Sequence, residues 1–133
     1  MHRRTLIAAT LALSLNPMAV LAADGFTEYS PGLIKQALAD GKTLLVDYSA
    51  TWCTTCARQA RVINTLRAEN PDYDAAISFI KVDWDTYSRH DVTRARGIPR
   101  RSTLIILRGD EELGRIVAGT SEGQIKALLE KGL

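Results

Sequence analysis

The sequence TLLVDYSATWCTTC, residues 43–56, joins a short apolar segment to a pair of cysteines. Its first half, Thr43–Ser49, is almost continuously apolar and rich in β-formers, which is typical of a strand buried on both faces of a sheet. A helical pattern begins at about residue 53 and runs to residue 69, before Pro71 stops it. The pattern carries one apolar stripe, formed by Ala57, Ala60, Ile63 and Leu66. We therefore predict a buried strand that passes into a helix with almost no loop, with both cysteines at the junction.

Helical and strand patterns alternate on both sides of this stretch. A first helix is predicted from an N-cap at Ser30, with Pro31 in its first position and Gly41 just past its end. Downstream, the pattern predicts a strand, a short helix, a strand, an antiparallel strand and a last helix, at residues 77–83, 87–95, 103–107, 113–118 and 121–131. This order predicts a single α/β domain, in which helices flank a mixed central sheet and the chain closes with a β-hairpin and a helix.

Residues 1–22 have the three parts of a secretory signal peptide: a basic start at Arg3 and Arg4, an apolar core and small residues near the end. The apolar run is interrupted by polar residues and is shorter than the roughly 20 residues that a membrane span needs. We expect cleavage after Ala22 or Ala23, which leaves residues 23–133 as the mature domain in the periplasm. The paired arginines leave open whether export follows the general or the twin-arginine route.

The formal net charge of +2 comes from 17 Lys and Arg against 15 Asp and Glu. Cleavage removes Arg3 and Arg4 but no acidic residue, so the mature chain carries 15 basic and 15 acidic residues and is formally neutral. A neutral chain gives no general reason to bind nucleic acid, and none is expected as a partner. A local basic cluster remains at Arg94, Arg96, Arg100 and Arg101.

Cys53 and Cys56 are the only cysteines, and a spacing of two intervening residues permits a reversible disulfide. At the first turn of a helix, unpaired N–H groups and the helix dipole favour a thiolate, so Cys53 is the expected nucleophile and the more buried Cys56 resolves a mixed disulfide. Zinc is disfavoured because only His90 could join the cysteines in the mature chain, and Ala57 stands where covalent haem attachment needs a histidine. No metal or cofactor is expected. A merely structural disulfide remains open, although so short a loop stabilises little.

The mature chain resembles a thioredoxin-family domain over nearly its whole length. Residues 45–53 are similar to the strand that leads into the family's active site, with Asp47 six residues before the first cysteine. Residues 96–99, Arg-Gly-Ile-Pro, resemble the loop in which the family has a cis-proline facing the disulfide. Gly119 and the residues after it, Ser121, Gly123, Gln124 and Ile125, resemble the family's closing glycine and last helix. The resemblance implies the thioredoxin fold.

The resemblance also implies roles for residues around the cysteines. Asp47, with a pKa raised by burial, would accept the proton of Cys56, and Lys81 would neighbour that aspartate. A purely structural role remains possible for both residues. Asp47 could be a hydrogen-bonded structural aspartate, and Lys81 could be a lysine whose stem lies along apolar surface.

On the substrate side, the resemblance implies that Trp52 covers the disulfide, although it could equally be a core residue. Pro99 would be cis and would present the Ile98 backbone to an extended substrate, with a trans turn proline as the alternative.

Three features depart from the family pattern. Thr54 and Thr55 separate the cysteines without proline or histidine, which indicates neither a strongly reducing nor a strongly oxidising subtype. Ser49 stands where thioredoxins usually have tryptophan, which makes the surface more polar. Residues 100–102, Arg-Arg-Ser, lengthen the connection after Pro99, and a bulge there would place Arg100 and its neighbour beside the substrate groove.

These observations predict a periplasmic thiol–disulfide oxidoreductase that reduces disulfides in exported proteins. The expected partners are protein disulfides and, by resemblance, a membrane thiol-reductant transporter that reduces the enzyme again; the chain is expected to act as a monomer. Two alternatives remain: an oxidase or isomerase that donates its disulfide, and a thioredoxin-fold binding module whose cysteine pair only stabilises the fold.

Overall fold

The computed structural model describes residues 25–133. The predicted signal peptide, residues 1–22, lies outside the described residues. Within the described part of the chain, no helix is long and apolar enough to cross a membrane.

A five-stranded mixed sheet forms the centre of the molecule, as predicted. Its strands are β1 (Thr27–Glu28), β2 (Thr43–Ser49), β3 (Ile77–Asp83), β4 (Thr103–Arg108) and β5 (Glu111–Val117). Their order across the sheet is β1-β3-β2-β4-β5. The strands β1, β3 and β2 run parallel, whereas β4 is antiparallel to β2 and β5 is antiparallel to β4, so the chain closes with the predicted hairpin.

β2 is the central strand, and every one of its seven residues is buried. It pairs with β3 on one side and β4 on the other, which satisfies its backbone groups inside the sheet. In this register Asp47 lies between Lys81 of β3 and Leu104 of β4. An ionisable residue is therefore held in the middle of the sheet.

In residues 25–133, six helices cover the sheet: α1 (Leu33–Ala39), α2 (Thr54–Glu69), α3 (Asp72–Ala76), α4 (Trp84–Tyr87), α5 (Asp91–Arg94) and α6 (Glu122–Glu130). One core cluster joins residues of α2, α3 and α6 to Leu45 of β2. A second core cluster joins residues of α1, α4 and α5 to Leu44, Val46 and Tyr48 of β2. Because side chains alternate across a strand, Asp47 shares the face of Leu45, which is the α2 side of the sheet.

The first helix begins later than predicted. The Ser30 carbonyl accepts the Leu33 N–H at 3.0 Å, and Gly32, at a φ of 89°, is the N-cap. Residues 30–32 therefore form a turn, and glycine supplies the left-handed backbone conformation that connects it to α1.

Other boundaries also differ. Of the single helix predicted at residues 87–95, the structure keeps α5; α4, which ends at Tyr87, was not predicted, and residues 88–90 lie between the two helices. Pro71 ends α2 as predicted, but it is also the N-cap of α3, which was not predicted. Proline is compatible with the start of a helix because no intrahelical partner is lost there. β1, at two residues, is too short to produce a recognisable pattern.

Candidate active site

The two cysteines lie where β2 passes into α2 and form a disulfide with each other. Cys53 is the N-cap of α2, and its Sγ accepts the Cys56 N–H at 3.2 Å. Both residues are almost completely buried. The N-terminus of a 16-residue helix is therefore directed at Cys53, and its free N–H groups and dipole favour negative charge on that sulfur.

Ser102 lies against both sulfurs. Its Oγ is 3.2 Å from Cys53 Sγ and 3.0 Å from Cys56 Sγ, and the residue is completely buried. Its backbone N–H donates to the Tyr48 carbonyl at 2.7 Å, and its own carbonyl accepts the Ala118 N–H at 2.8 Å. The residue that faces the disulfide is thus anchored to β2 on one side and to the end of β5 on the other.

The expectation of a cis-proline at position 99 is wrong. No cis peptide bond occurs in residues 25–133, and Pro99 is exposed. Residues 100–102 separate it from β4, so the chain approaches the sulfurs three residues later, at Ser102, whose φ of 62° turns the backbone into the strand.

Ile98 is buried in the core cluster on the α1 side of the sheet, and its N–H donates to the Thr93 carbonyl at 3.2 Å. This N–H is therefore already engaged within the protein. The predicted pairing of the Ile98 backbone with an extended substrate remains a prediction for its carbonyl side.

Asp47 is fully buried, and neither of its carboxyl oxygens has a hydrogen-bond partner. Burial, with a smaller contribution from the Glu28 carboxylate, raises the pKa of Asp47 from 3.8 to about 7. The structure therefore does not support the hydrogen-bonded structural aspartate that the sequence left open. A carboxyl group with this pKa can take up or release a proton close to neutral pH.

Lys81 neighbours Asp47 directly in the β2–β3 register, as the resemblance implied. Its Nζ is 5.0 Å from the centre of the Phe26 ring, and partial burial lowers the pKa of Lys81. The same residue lines a cleft of about 250 Å³ together with Cys56, Glu28 and Asp83. The cleft thus lies between Cys56 and a group of charged side chains, and it is large enough to hold water.

Trp52 stands on the outer side of the cysteines and is 57% exposed. Its Nε1 donates to the Asp85 carboxylate at 3.0 and 3.1 Å, and the Arg101 guanidinium lies 4.5 Å from the ring centre. Trp84, which is partly buried, also packs against the cysteine cluster. That Trp52 covers the disulfide from substrate remains a prediction.

The remaining predicted residues lie around the start of α2. Thr54 is exposed and Thr55 half-buried, and together with Arg58 they line a polar pocket of about 210 Å³. Arg100 is half-buried and its Nε donates to the Arg101 carbonyl at 3.1 Å. The predicted pair of cations is therefore present in the loop, with Arg101 stacked on Trp52.

Gln59 is a residue that the sequence reasoning missed. It is completely buried, and its Nε2 donates to the carbonyls of Ser102 and Gly119 at 3.0 and 2.9 Å. The predicted stripe contained Ala57 instead, which is exposed. The signal was available, because Gln59 follows Cys56 by three residues and so shares its helix face. For Ser102, the sequence predicts only a place in the longer connection after Pro99.

These groups together provide the parts of thiol–disulfide exchange. The Ser102 hydroxyl is within reach of both sulfurs, but the Cys56 N–H donates to Cys53 Sγ, so Cys53 is the sulfur better suited to carry negative charge. Asp47 can accept a proton near neutral pH. Within residues 25–133, no group of three or more His, Cys, Asp or Glu side chains is placed to hold a metal ion.

Comparison with known proteins places the chain among the thioredoxins. The thioredoxin family model matches residues 27–131. A thioredoxin H-type of Chlamydomonas reinhardtii is 33% identical over 68% of this chain and 74% of its own length. Thioredoxin H2-1 of Oryza sativa subsp. japonica is 31% identical over 61% of this chain and 54% of its own length, so the chain spans about half of that relative. The crystal structure of Trxlp from Edwardsiella tarda EIB202 has a TM-score of 0.64 and 33% identity, covering 76% of this chain and 96% of that one.

The family match covers all five strands and the helix that carries the cysteines. It agrees with the sheet order and with the position of Cys53 at the head of α2. The chain therefore belongs to the thioredoxin family, and its pair of cysteines supports thiol–disulfide oxidoreductase activity.

Proposed function

We propose that this protein is a periplasmic thiol–disulfide oxidoreductase that reduces disulfides in exported proteins. The observation that carries the proposed exchange chemistry is the buried, unpaired carboxyl group of Asp47 on the α2 side of the sheet. A reductase must deprotonate its second cysteine, Cys56, to complete each turnover. A carboxyl group with a pKa near neutrality is suited to accept that proton.

The proposed cycle has two displacement steps. The Cys53 thiolate attacks one sulfur of the substrate disulfide, the substrate S–S bond breaks, and its second sulfur leaves as a thiolate. Cys56, after giving its proton to Asp47, attacks Cys53 Sγ; the Cys53–Cys56 bond forms and the remaining substrate sulfur is released as a thiolate. Two electrons have then passed from the cysteine pair to the substrate.

The N-terminal segment supports the proposed compartment, and the proposed electron source depends on that compartment. Residues 1–22 have the composition of a signal peptide, which supports export and a soluble mature protein. An oxidising compartment holds no adequate thiol pool for the reduced form, so we propose that a membrane thiol-reductant transporter returns two electrons to the disulfide. We propose a monomer, since a single chain contains all the groups named above.

A disulfide oxidase or isomerase is the second candidate. The Ser102 hydroxyl favours it, because a donor beside the sulfurs stabilises the reduced, thiolate form and makes the disulfide a better oxidant. Reductase and oxidase share the same cysteine chemistry and differ in reduction potential.

The decisive experiment combines trapping with a potential. A Cys56→Ser variant, expressed with its own N-terminal segment, should accumulate in the periplasm in mixed disulfides with exported proteins, and a Cys53→Ser, Cys56→Ser double variant should trap none. The absence of trapped species would leave only the binding-module alternative, and retention of the protein in the cytoplasm would refute the proposed compartment. Equilibration of the cysteine pair with glutathione then measures its reduction potential, which decides whether the protein reduces or oxidises its substrates. A potential above about −150 mV would exclude the reductase.

A further inference from the structure

The Ser102 hydroxyl lies between the two reacting sulfurs. We propose that Ser102 is a catalytic residue, whose hydroxyl donates a hydrogen bond to whichever cysteine sulfur carries the negative charge during exchange. The two O···S distances, 3.2 Å to Cys53 and 3.0 Å to Cys56, place both sulfurs within reach of the same proton.

The direction of these hydrogen bonds follows from the chemistry of the disulfide. Neither sulfur of a disulfide carries a hydrogen, so in the oxidised protein the Ser102 O–H is the donor. A disulfide sulfur is a weak acceptor, whereas a thiolate is charged and accepts a stronger hydrogen bond. The hydroxyl therefore stabilises the reduced pair more than the oxidised pair, and it does so in a buried site, where a hydrogen bond to a charged sulfur is stronger than in water.

The hydroxyl is held in place by the backbone of its own residue. The Ser102 N–H donates to Tyr48, and its carbonyl accepts from Ala118 and from the Gln59 side chain, at distances of 2.7 to 3.0 Å. These bonds fix the residue to β2, β5 and α2. Among the described residues, the two cysteines are the hydrogen-bond partners of its Oγ. The donor is thus already in position before reduction begins.

Each half of the cycle uses the hydroxyl at a different sulfur. When a reductant thiolate attacks Cys53 Sγ, the Cys53–Cys56 bond breaks and Cys56 leaves as a thiolate, to which Ser102 donates. A second reductant thiol then displaces the mixed disulfide, two electrons have entered the pair, and Cys53 is released as a thiolate. In the fully reduced pair Ser102 donates to the Cys53 thiolate and can accept the Cys56 S–H, which leaves Cys53 ready to attack a substrate. Asp47 donates a proton to Cys56 when the pair is reduced and accepts it when the disulfide forms, and Ser102 stabilises the charge on sulfur.

The test removes the hydroxyl and little else. In a Ser102→Ala variant we expect the pKa of Cys53, followed by thiolate absorbance, to rise by about one unit. At a pH where the wild-type thiolate is populated, the equilibrium with glutathione should shift about tenfold towards the disulfide, which corresponds to about 30 mV. Reduction of the disulfide by dithiothreitol should slow about tenfold, because the Cys56 leaving group has lost its donor.

Two further variants separate this chemistry from a change in the loop. Ser102→Gly also lacks the hydroxyl but suits the left-handed backbone, so it should show the same redox shift in a well-folded protein. Thr103→Val removes a neighbouring buried hydroxyl, which donates to the Arg100 carbonyl at 2.7 Å, and should leave the pKa and the equilibrium within twofold of wild type. Wild-type values in both Ser102 variants, or an equal shift in Thr103→Val, would overturn the proposal.

The role of Ser102 does not depend on the compartment or on the direction of the cycle. Because it is measured as a difference between variants of the purified protein, it can hold if the protein is an oxidase or is not exported. A wild-type potential too oxidising for a reductase would refute the proposed function and leave this test unchanged.

Discussion

Replacing Asp47 by asparagine should make the folded protein more stable, and more so as the pH rises. The carboxyl group is fully buried and its oxygens have no hydrogen-bond partner, so its ionised form is unfavourable in the native state. Asparagine has nearly the same shape but no charge. The substitution therefore removes the unfavourable ionisation and keeps the packing.

The size of the effect follows from the pKa. A rise from 3.8 to about 7 is about three units, and at about 1.4 kcal/mol per unit it corresponds to about 4 kcal/mol. Between these two values the folded state binds the proton and the unfolded state does not, so the stability contributed by this group falls as the pH rises from about 4 to about 7 and is constant above that. The advantage of Asp47→Asn should grow by about 4 kcal/mol over the same range.

Urea unfolding of the oxidised proteins at pH 4 to 8.5 measures this difference, since the titration of groups that do not interact with Asp47 cancels between wild type and variant. Asp110→Asn, at an exposed position in the turn between β4 and β5, removes the same charge and should show no comparable dependence on pH. A difference between wild type and Asp47→Asn that stays constant within about 1 kcal/mol would refute the assignment of a raised pKa.

Two further substitutions test the surroundings of the disulfide. Gln59→Leu removes both hydrogen bonds of the buried amide nitrogen, including the one to Ser102. We expect the free energy of unfolding, measured in urea, to fall by about 2 kcal/mol. A fall below about 0.5 kcal/mol would show that the packing of leucine compensates for the lost hydrogen bonds. Arg101→Gln removes the cation stacked on Trp52, so reduction of an acidic disulfide peptide should become slower and less dependent on salt, whereas a neutral peptide should be unaffected. An equal change for both peptides would contradict a charge-based role for Arg101.

The central strand and the position of the cysteines could be predicted because both depend on local patterns. A continuous apolar run such as Thr43–Ser49 is compatible with few places other than the centre of a sheet, and the structure buries all of it. The helical pattern begins at about residue 53, only a few residues after this run, which places the cysteines at the junction. Asp47 could be expected to be buried for the same reason.

The approach of Ser102 to the sulfurs could not be predicted, because it depends on contacts between distant segments. Its conformation is set by hydrogen bonds to Tyr48, Gln59 and Ala118, which come from three other elements. The resemblance directed attention to Pro99 instead, since the longer connection after it shifts the contact by three residues. A one-dimensional comparison does not show where the additional residues are accommodated.

At position 102 the residue that is best for stability differs from the residue that the proposed chemistry needs, because the left-handed backbone favours glycine and the hydrogen bond to sulfur needs the serine hydroxyl. A non-glycine residue at a φ of 62° is less favourable than glycine by roughly 1 kcal/mol. Ala118, its hydrogen-bond partner, has a φ of 63° and the same disadvantage, but its methyl group cannot donate a hydrogen bond to a sulfur. A search for more thermostable variants should therefore accept Ala118→Gly freely, and should recover Ser102→Gly only when selection for redox activity is absent.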